Sequence, residues 1–386
     1  MAIEGRNEVL GGRIRLGMVG GGNDAFIGAV HRIAARIDDR FELVAGALSS
    51  TPEKSRESGE ALGLPRIYDD FKQMAIREAR RKDGIEAVAI VTPNHLHYPA
   101  AREFLKRGIH VICDKPLTST LADAKKLVKA VEASEALFVL THNYTGYPMV
   151  RQARAMIAAG DIGTIRVVQV EYPQDWLTEH QTFKQAEWRT DPERSGAGGS
   201  TGDIGTHAFN LACFVTKLEV DSLAADIQAF VPGRRVDDNA HVMLRFAGGA
   251  RGMLWASQVA PGNENALRLR VYGDKGGLEW AQEDPNYLWF TPFGEPKRLI
   301  TRNGSGSGDA AARVSRVPPG HPEGYLEGFA NIYSEAAEAI IAHRAGNAPA
   351  ADVMYPTVED GLKGVQFVAA CVKSSARNAA WVPLDQ

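Results

Sequence analysis

Residues 87–116, AVAIVTPNHLHYPAAREFLKRGIHVICDKP, commit this part of the chain to a parallel sheet. Residues 88–91 are apolar and uncharged, which suits a strand buried on both faces. The run stops at Thr92-Pro93-Asn94, where Pro93 has no N–H to give a ladder. Residues 98–107 then read as an amphipathic helix. Ala101, Phe104 and Leu105 form one stripe, with Arg102, Glu103, Lys106 and Arg107 opposite. Gly108 sits where a helix C-terminus favours glycine. A second apolar run, 109–113, stops at Asp114-Lys115-Pro116. This is strand, crossover helix, strand, so both strands end on the same edge of one sheet. Open α/β sheets bind ligands at that edge. Lys115, carried there by a rigid strand end, is the first catalytic candidate.

The flanking sequence extends the pattern. Residues 14–19 form a short strand, Gly20-Gly21-Gly22 follows at once, and Val30, Ile33, Ala34 and Ile37 give helical spacing after Gly28. Strand, glycine turn and helix are the setting of a dinucleotide fingerprint. Gly20 makes the tight turn, Gly22 admits a pyrophosphate, and Gly28 lets the helix pack on the strand. The spacing departs from G-x-G-x-x-G, because five residues separate Gly22 from Gly28, and a plain structural turn is the competing reading. The second strand, 41–48, ends at Leu48-Ser49-Ser50-Thr51 without the acid that grips a ribose 2′-hydroxyl. Lys54 and Arg56 stand close enough to meet a 2′-phosphate, or they line a solvated helix face, so NAD and NADP both stay open. Helices at 71–81 and 119–132 and a strand at 137–140, ending at Thr141-His142-Asn143-Tyr144, complete a doubly wound α/β pattern. The helix at 148–159 marks the join between a dinucleotide-binding domain, 1–147, and a second domain, 148–386.

From residue 165 the texture changes to alternation. The runs 165–172, 223–230, 241–246 and 251–258, with shorter pieces at 267–272, 278–280, 287–291 and 298–300, predict a large open antiparallel sheet in an α+β domain. Helices are expected at 323–341 and 358–375. The bulk numbers add exclusions. A net charge of −3 gives no reason to expect nucleic acid or an anionic membrane as partner. No apolar run approaches the roughly 18 residues needed to span a bilayer. Residues 1–12 lack a secretory pattern, and the three scattered cysteines fit a reducing compartment, so the expectation is a cytoplasmic protein. The histidines and cysteines do not cluster at metal spacing, and no metal is expected.

A second constellation lies in residues 187–210, EWRTDPERSGAGGSTGDIGTHAFN. Its glycines make a loop, and Ser200 or Thr201 reads as the N-cap of the helix that follows. Asp203 and His207 are four apart and share a helical face. One reading makes Asp203 the partner of Ser200 in a capping box and His207 a polar core residue. The other makes them a proton-transfer pair.

TPNHLHYPAA, then HVICDKPL, then GGSTGDIGTH, together with the glycine turn, resembles the Gfo/Idh/MocA family of nicotinamide-dependent sugar and inositol oxidoreductases. The resemblance spans about residues 14–333. It implies a Rossmann domain followed by an open sheet that often serves as an oligomer interface, hence a homodimer or homotetramer. It implies Lys115, Asp203 and His207 as the catalytic set, with NAD slightly favoured over NADP. Cofactor contacts are expected at Gly20, Gly22, Asn23, Ser49, Ser50, Thr92, Asn94, His97, Asp114, Lys115 and Asn143. A polyol pocket is expected from Tyr144, Trp188, Arg189, His321 and Tyr325, around Lys115, Asp203 and His207. The activity so implied is hydride transfer between the cofactor and a secondary hydroxyl of a sugar, inositol or related cyclic polyol. Its rivals are an NAD-dependent glycosidase working by transient oxidation and elimination, and a dinucleotide sensor without turnover.

Overall fold

The computed structural model describes residues 12–23, 25–181 and 189–385. Packing divides the chain into two units. The first holds the residues up to Thr118, Ala122–Asn143 and Tyr325–Gly361; the second holds Ser119–Leu121, Tyr144–Gly324 and the chain from Leu362 onward.

The first unit is built on β1 (Ile14–Gly20), β2 (Phe41–Ala47), β3 (Arg66–Ile67), β4 (Ala87–Val91), β5 (His110–Cys113) and β6 (Phe138–Leu140). They form a six-stranded sheet in the order β3-β2-β1-β4-β5-β6, and every pair is parallel. This is the doubly wound sheet expected from the sequence, with β3 added at the edge. The reversal of order between β1 and β4 marks where such sheets bind ligands. Among its helices, α1 (Phe26–Ile37) covers β1 and β2, and α2 (Pro52–Ala61), α3 (Phe71–Glu78), α4 (His97–Leu105) and α5 (Leu121–Glu132) fill the crossovers. The interiors of the central strands β4 and β5 are apolar, as a two-sided burial demands: Val88, Ala89, Ile90, Val111 and Ile112 are all 0% exposed.

At the opposite edge from the strand C-termini, the His110 Nδ1 accepts a hydrogen bond from the Leu137 N–H at 2.9 Å. That bond fixes the neutral tautomer. Burial, then the neighbouring His343 and Arg344, push this imidazole down to about 4. The folded value lies below the unfolded one near 6.5, so the folded state binds fewer protons as pH falls. The contribution is whole above pH 6.5 and is lost between pH 6.5 and 4. By pH 5 the loss is about 2 kcal/mol. Urea denaturation at pH 7 and pH 5 should show that difference, and His110→Asn, which keeps an acceptor for Leu137, should flatten it.

The second unit begins its regular structure with α6 (Pro148–Ala159) and β7 (Ile165–Pro173). The remaining strands are β8 (Val220–Gln228), β9 (Asn239–Phe246), β10 (Arg251–Ser257), β11 (Arg268–Gly273), β12 (Gly276–Ala281), β13 (Tyr287–Pro292), β14 (Arg298–Thr301) and β15 (Val382–Pro383). The nine strands run in the order β14-β13-β12-β11-β7-β10-β9-β8-β15. The sheet is antiparallel except at one place: β7 and β10 pair in parallel, Val167 opposite Arg251 through Pro173 opposite Ser257. The large antiparallel sheet expected from the sequence is present, with this one parallel pair inside it. The long excursion between β7 and β10 supplies the crossover that a parallel pair needs. One face of this sheet is covered by α6 and by α7 (Thr206–Thr216), with Val168, Val170, Leu244, Leu254 and Leu269 packed inward. The chain returns to the first unit through α8 (Tyr325–Arg344), which packs along α1, and passes back within α9 (Val358–Ser375).

Candidate active site

The residues singled out in the sequence fall at two places, one in each unit. In the first unit they gather at the C-terminal ends of the strands. After β1 the backbone turns through Gly20 and Gly21, at φ of 79° and 74°, a left-handed conformation that costs glycine little. A Cβ on Gly28 would lie 2.4 Å from the Gly21 Cα, so α1 approaches the turn as closely as two glycines allow. The Gly22 N–H donates to the Leu48 carbonyl at 3.2 Å and the Asn23 N–H to Ser58 Oγ at 3.2 Å. The glycine loop is thereby pinned to the end of β2. Ser49 Oγ is engaged locally, accepting from the Thr51 N–H, while Ser50 is exposed. Arg56 is directed at Asp69, 3.7 Å away, and Lys54 on the same helix is exposed.

Beyond β4 and β5, the Asp114 carboxylate organises the turn that carries Lys115. Its Oδ1 accepts from the Lys115 N–H at 2.9 Å and from Thr141 Oγ1 at 3.0 Å, and His31 Nε2 stands 3.8 Å away. Burial works to raise the Asp114 pKa, but His31, Lys115 and His97 together hold it below the usual carboxylate value. His97 is fully buried, and its ring bridges two turns. Nδ1 lies 2.8 Å from the Pro116 carbonyl and Nε2 lies 2.9 Å from the Thr92 carbonyl. Burial lowers its pKa, and a neutral ring donates to one of these carbonyls at a time. Its side chain is spent on tying the TPN turn to the Lys115 segment.

Among the described residues, Thr92 Oγ1, beyond β4, and Asn143 Nδ2, beyond β6, are buried at this edge with no hydrogen-bond partner inside the protein. Buried polar groups are almost always satisfied. An acceptor–donor pair beside a glycine loop fits a polar ligand such as the ribose and carboxamide portions of a dinucleotide. Asn94 is buried in the same turn.

The second place is in the second unit, where one π turn (Thr201–Gly205) runs directly into α7. Such wide turns are frequent at functional sites. Ser200 is already helical, at φ −58° and ψ −39°, and makes no capping bond to Asp203. The capping-box reading is corrected: the cap is Asp237, from the segment before β9. Its Oδ1 accepts from the Gly199 N–H at 2.7 Å. Its Oδ2 accepts from Ser200 Oγ and the Thr201 N–H, each at 2.7 Å, and from Thr201 Oγ1 at 2.6 Å. No local pattern in the sequence points to Asp237, since its partners lie more than thirty residues away.

Relieved of capping, Asp203 presents its carboxylate to side chains. Oδ2 accepts from Gln258 Nε2 at 3.0 Å and pairs with Arg189 Nε at 3.1 Å. His207, one turn on, is 7% exposed and meets the edge of Tyr144, with ring centroids 4.9 Å apart. Burial raises the Tyr144 pKa, and its hydrogen-bond contacts with Tyr172 and Asn265 work against that rise. Asp203, His207, Tyr144 and Arg189 therefore belong to one cluster. His321 is exposed on a loop whose carbonyl accepts from the buried Arg302, and Tyr325 belongs to the first unit, edge-on to Phe329 at 5.2 Å. Trp188 lies outside the described residues. Among the described residues no group of His, Cys, Asp and Glu is arranged to hold a metal ion, and no helix is long and apolar enough to cross a membrane.

Residues 14–142 match the model described as the oxidoreductase family with an NAD-binding Rossmann fold, and residues 150–279 match the GFO/IDH/MocA C-terminal domain. The chain belongs to the Gfo/Idh/MocA family. It is an oxidoreductase of that family with an NAD-binding Rossmann domain, and its glycine cradle and orphaned polar atoms fit NAD(P). It is similar to an oxidoreductase from Sinorhizobium meliloti, at 69% identity and a TM-score of 0.88, covering 96% of this chain and 99% of that one. It is also similar to an inositol dehydrogenase homologue from Azotobacter vinelandii complexed with NADH and myo-inositol. There the identity is 36% and the TM-score 0.90, over 96% of this chain and 97% of that one. The levoglucosan dehydrogenase of Pseudarthrobacter phenanthrenivorans is 27% identical over 97% of this chain and 98% of its own.

Proposed function

We propose that this Gfo/Idh/MocA oxidoreductase transfers hydride between NAD(P) and a secondary hydroxyl of a cyclic polyol, sugar or inositol. The observation that carries the reading is the Asp203–His207 pair on one turn, with Asp203 gripped by Arg189 and Gln258 and His207 seated against Tyr144. Such a pair suits proton transfer at an alcohol oxygen. The relatives support the same reading: one is complexed with NADH and myo-inositol and another is named a levoglucosan dehydrogenase, and both molecules are polyhydroxylated rings.

When bound, the nicotinamide supplies the hydride chemistry, and the protein supplies position and charge. Thr92, Asn94, Asp114 and Asn143 would hold it at the strand ends, with Gly20, Gly22 and Asn23 available to its phosphates and Ser49 and Ser50 to its ribose. In the oxidative direction His207 accepts the hydroxyl proton. Lys115 donates a hydrogen bond to the same oxygen and stabilises the charge that develops there. Asp203 orients the imidazole. Arg189 and Tyr144 line the polyol side, where His321, Tyr325 and Trp188 remain candidates.

His207→Ala should remove the limb of the pH–rate profile that reports the general base, with turnover down by about 10²–10⁴. The assay is a panel of inositols and sugars with each cofactor, followed by absorbance of the reduced nicotinamide. A variant that keeps both the limb and the rate places the base elsewhere.

The open face of the second unit's sheet supports self-association as a homodimer or homotetramer. Met243 and Met253 lie directly opposite one another there and are 51% and 49% exposed; Trp289 and Leu299 continue the row. Met253→Glu should shift the sedimentation coefficient toward the single subunit.

A further inference from the structure

A chain of hydrogen bonds runs from Trp176 to Tyr144, and its direction is fixed by chemistry. The Trp176 indole N–H can only donate, and it donates to Gln174 Oε1 at 3.0 Å. That sets the Gln174 amide, so Nε2 faces Asn265 and donates to its Oδ1 at 2.7 Å. Asn265 is held in the same sense from its other side, because its Nδ2 donates to Gln282 Oε1 at 3.2 Å. The Asn265 oxygen is an acceptor, so Tyr172 must give it its one hydroxyl proton, across 2.7 Å. Tyr172 then has only lone pairs left for Tyr144, whose hydroxyl lies 2.5 Å away. Tyr144 therefore donates its proton inward, and its oxygen offers only lone pairs to whatever reaches it beside His207.

We propose that this relay is a specificity device: it makes Tyr144 an acceptor and so selects substrates that present a free hydroxyl, rather than an ether or carbonyl oxygen, next to the reacting carbon. The proposal rests on the polyol reading above for its substrate class. Trp176, Gln174, Asn265 and Tyr172 are positioning residues that act through Tyr144. Trp176 is also the point where a second contact begins, since the Arg189 guanidinium lies over its ring at 5.9 Å and pairs with Asp203. A buried Tyr144 with a committed proton is also a poor base, which is why the proton-accepting role falls to His207. The arrangement resembles a site built to hydrogen-bond a substrate hydroxyl, which discriminates strongly against analogues that lack it.

The relay can be reversed by one isosteric change. In Gln174→Glu the carboxylate still accepts from Trp176, but its second oxygen now demands a donor. Asn265 must turn its Nδ2 inward, Tyr172 then accepts from Asn265 and donates to Tyr144, and the Tyr144 proton points outward. With myo-inositol and its mono-O-methyl ethers as probes, wild-type kcat/KM should fall at least about 100-fold for the ether that masks the selected hydroxyl. In Gln174→Glu the same ratio should shrink to within about 10-fold. An unchanged ratio in a folded Gln174→Glu variant overturns the proposal.

Neutron diffraction of the wild-type protein without substrate supplies a test that does not depend on turnover. A Tyr172 deuteron directed at Asn265 is the expected result, and one directed at Tyr144 overturns the proposal. If no polyol in the panel is oxidised while the deuteron lies as expected, it is the substrate reading that fails and the polarity of the relay that stands.

Discussion

Lys115→Ala should lower kcat by about 10²–10³ while the affinity for NAD(P) stays within a few-fold, because one donor to a developing oxyanion is removed and the cofactor's cradle is not. The prediction rests on how the Lys115 backbone is held. The Lys115 backbone N–H is held by Asp114, in a turn also tied down by Thr141 and by the His97 bridge, so truncating the side chain leaves that frame in place. Lys115→Arg should fail almost as badly, since a planar fork does not replace a compact ammonium. Steady-state kinetics on the responsive polyol, with cofactor binding followed by quenching of protein fluorescence, measure both quantities. A rate within a few-fold of wild type in Lys115→Ala removes the lysine from the chemistry.

Asp237→Ala should cost on the order of 3–5 kcal/mol of stability, because four buried donors lose their acceptor together. The residue is 6% exposed, so water cannot replace the carboxylate without opening the loop. Activity should fall further than the remaining folded fraction explains, since Gly199, Ser200 and Thr201 set the start of the turn that carries Asp203 and His207. Asp237→Asn should fall between the two. With its amide nitrogen in place of Oδ1 it loses the Gly199 bond and keeps the three on Oδ2. Chemical denaturation gives the first effect, and turnover per folded molecule gives the second. An Asp237→Ala protein as stable as wild type would show that the loop is held by something else.

What was legible in the sequence is local in origin. The runs of β4 and β6 carry no charge because both faces of the sheet are covered there, so their type could be read directly. Asp114-Lys115 and Asp203…His207 could be found because each set lies within a few residues on one element. β3 escaped notice because two residues carry no period. The parallel pairing of β7 with β10 escaped because alternation looks the same in either direction. Asp237, Trp176 and Asn265 could not be read, since each matters through partners brought near only by folding. The capping box failed for a related reason: its residues were present, but a stronger acceptor from a distant segment took the donors. The destination of α8 was equally hidden. Its apolar stripe marks a buried helix without naming the sheet that buries it.

The route of the chain limits how this enzyme could be taken apart. Phe329, Ala330, Ile332, Tyr333, Ala336, Ala337 and Ile340 of α8 belong to the core of the first unit, although they follow nearly all of the second in the gene. Tyr333 also reaches His31 Nδ1 at 2.9 Å. A piece cut after Asn143 would leave α1 bare along the line where α8 lies and would strip His31 of that bond. Recombination that swaps substrate halves between relatives as a single N-terminal or C-terminal block would therefore break a core each time. A workable chimaera needs three crossovers, near residues 144, 324 and 361, so that the returning helix travels with the sheet it covers and the last segment travels with the second unit.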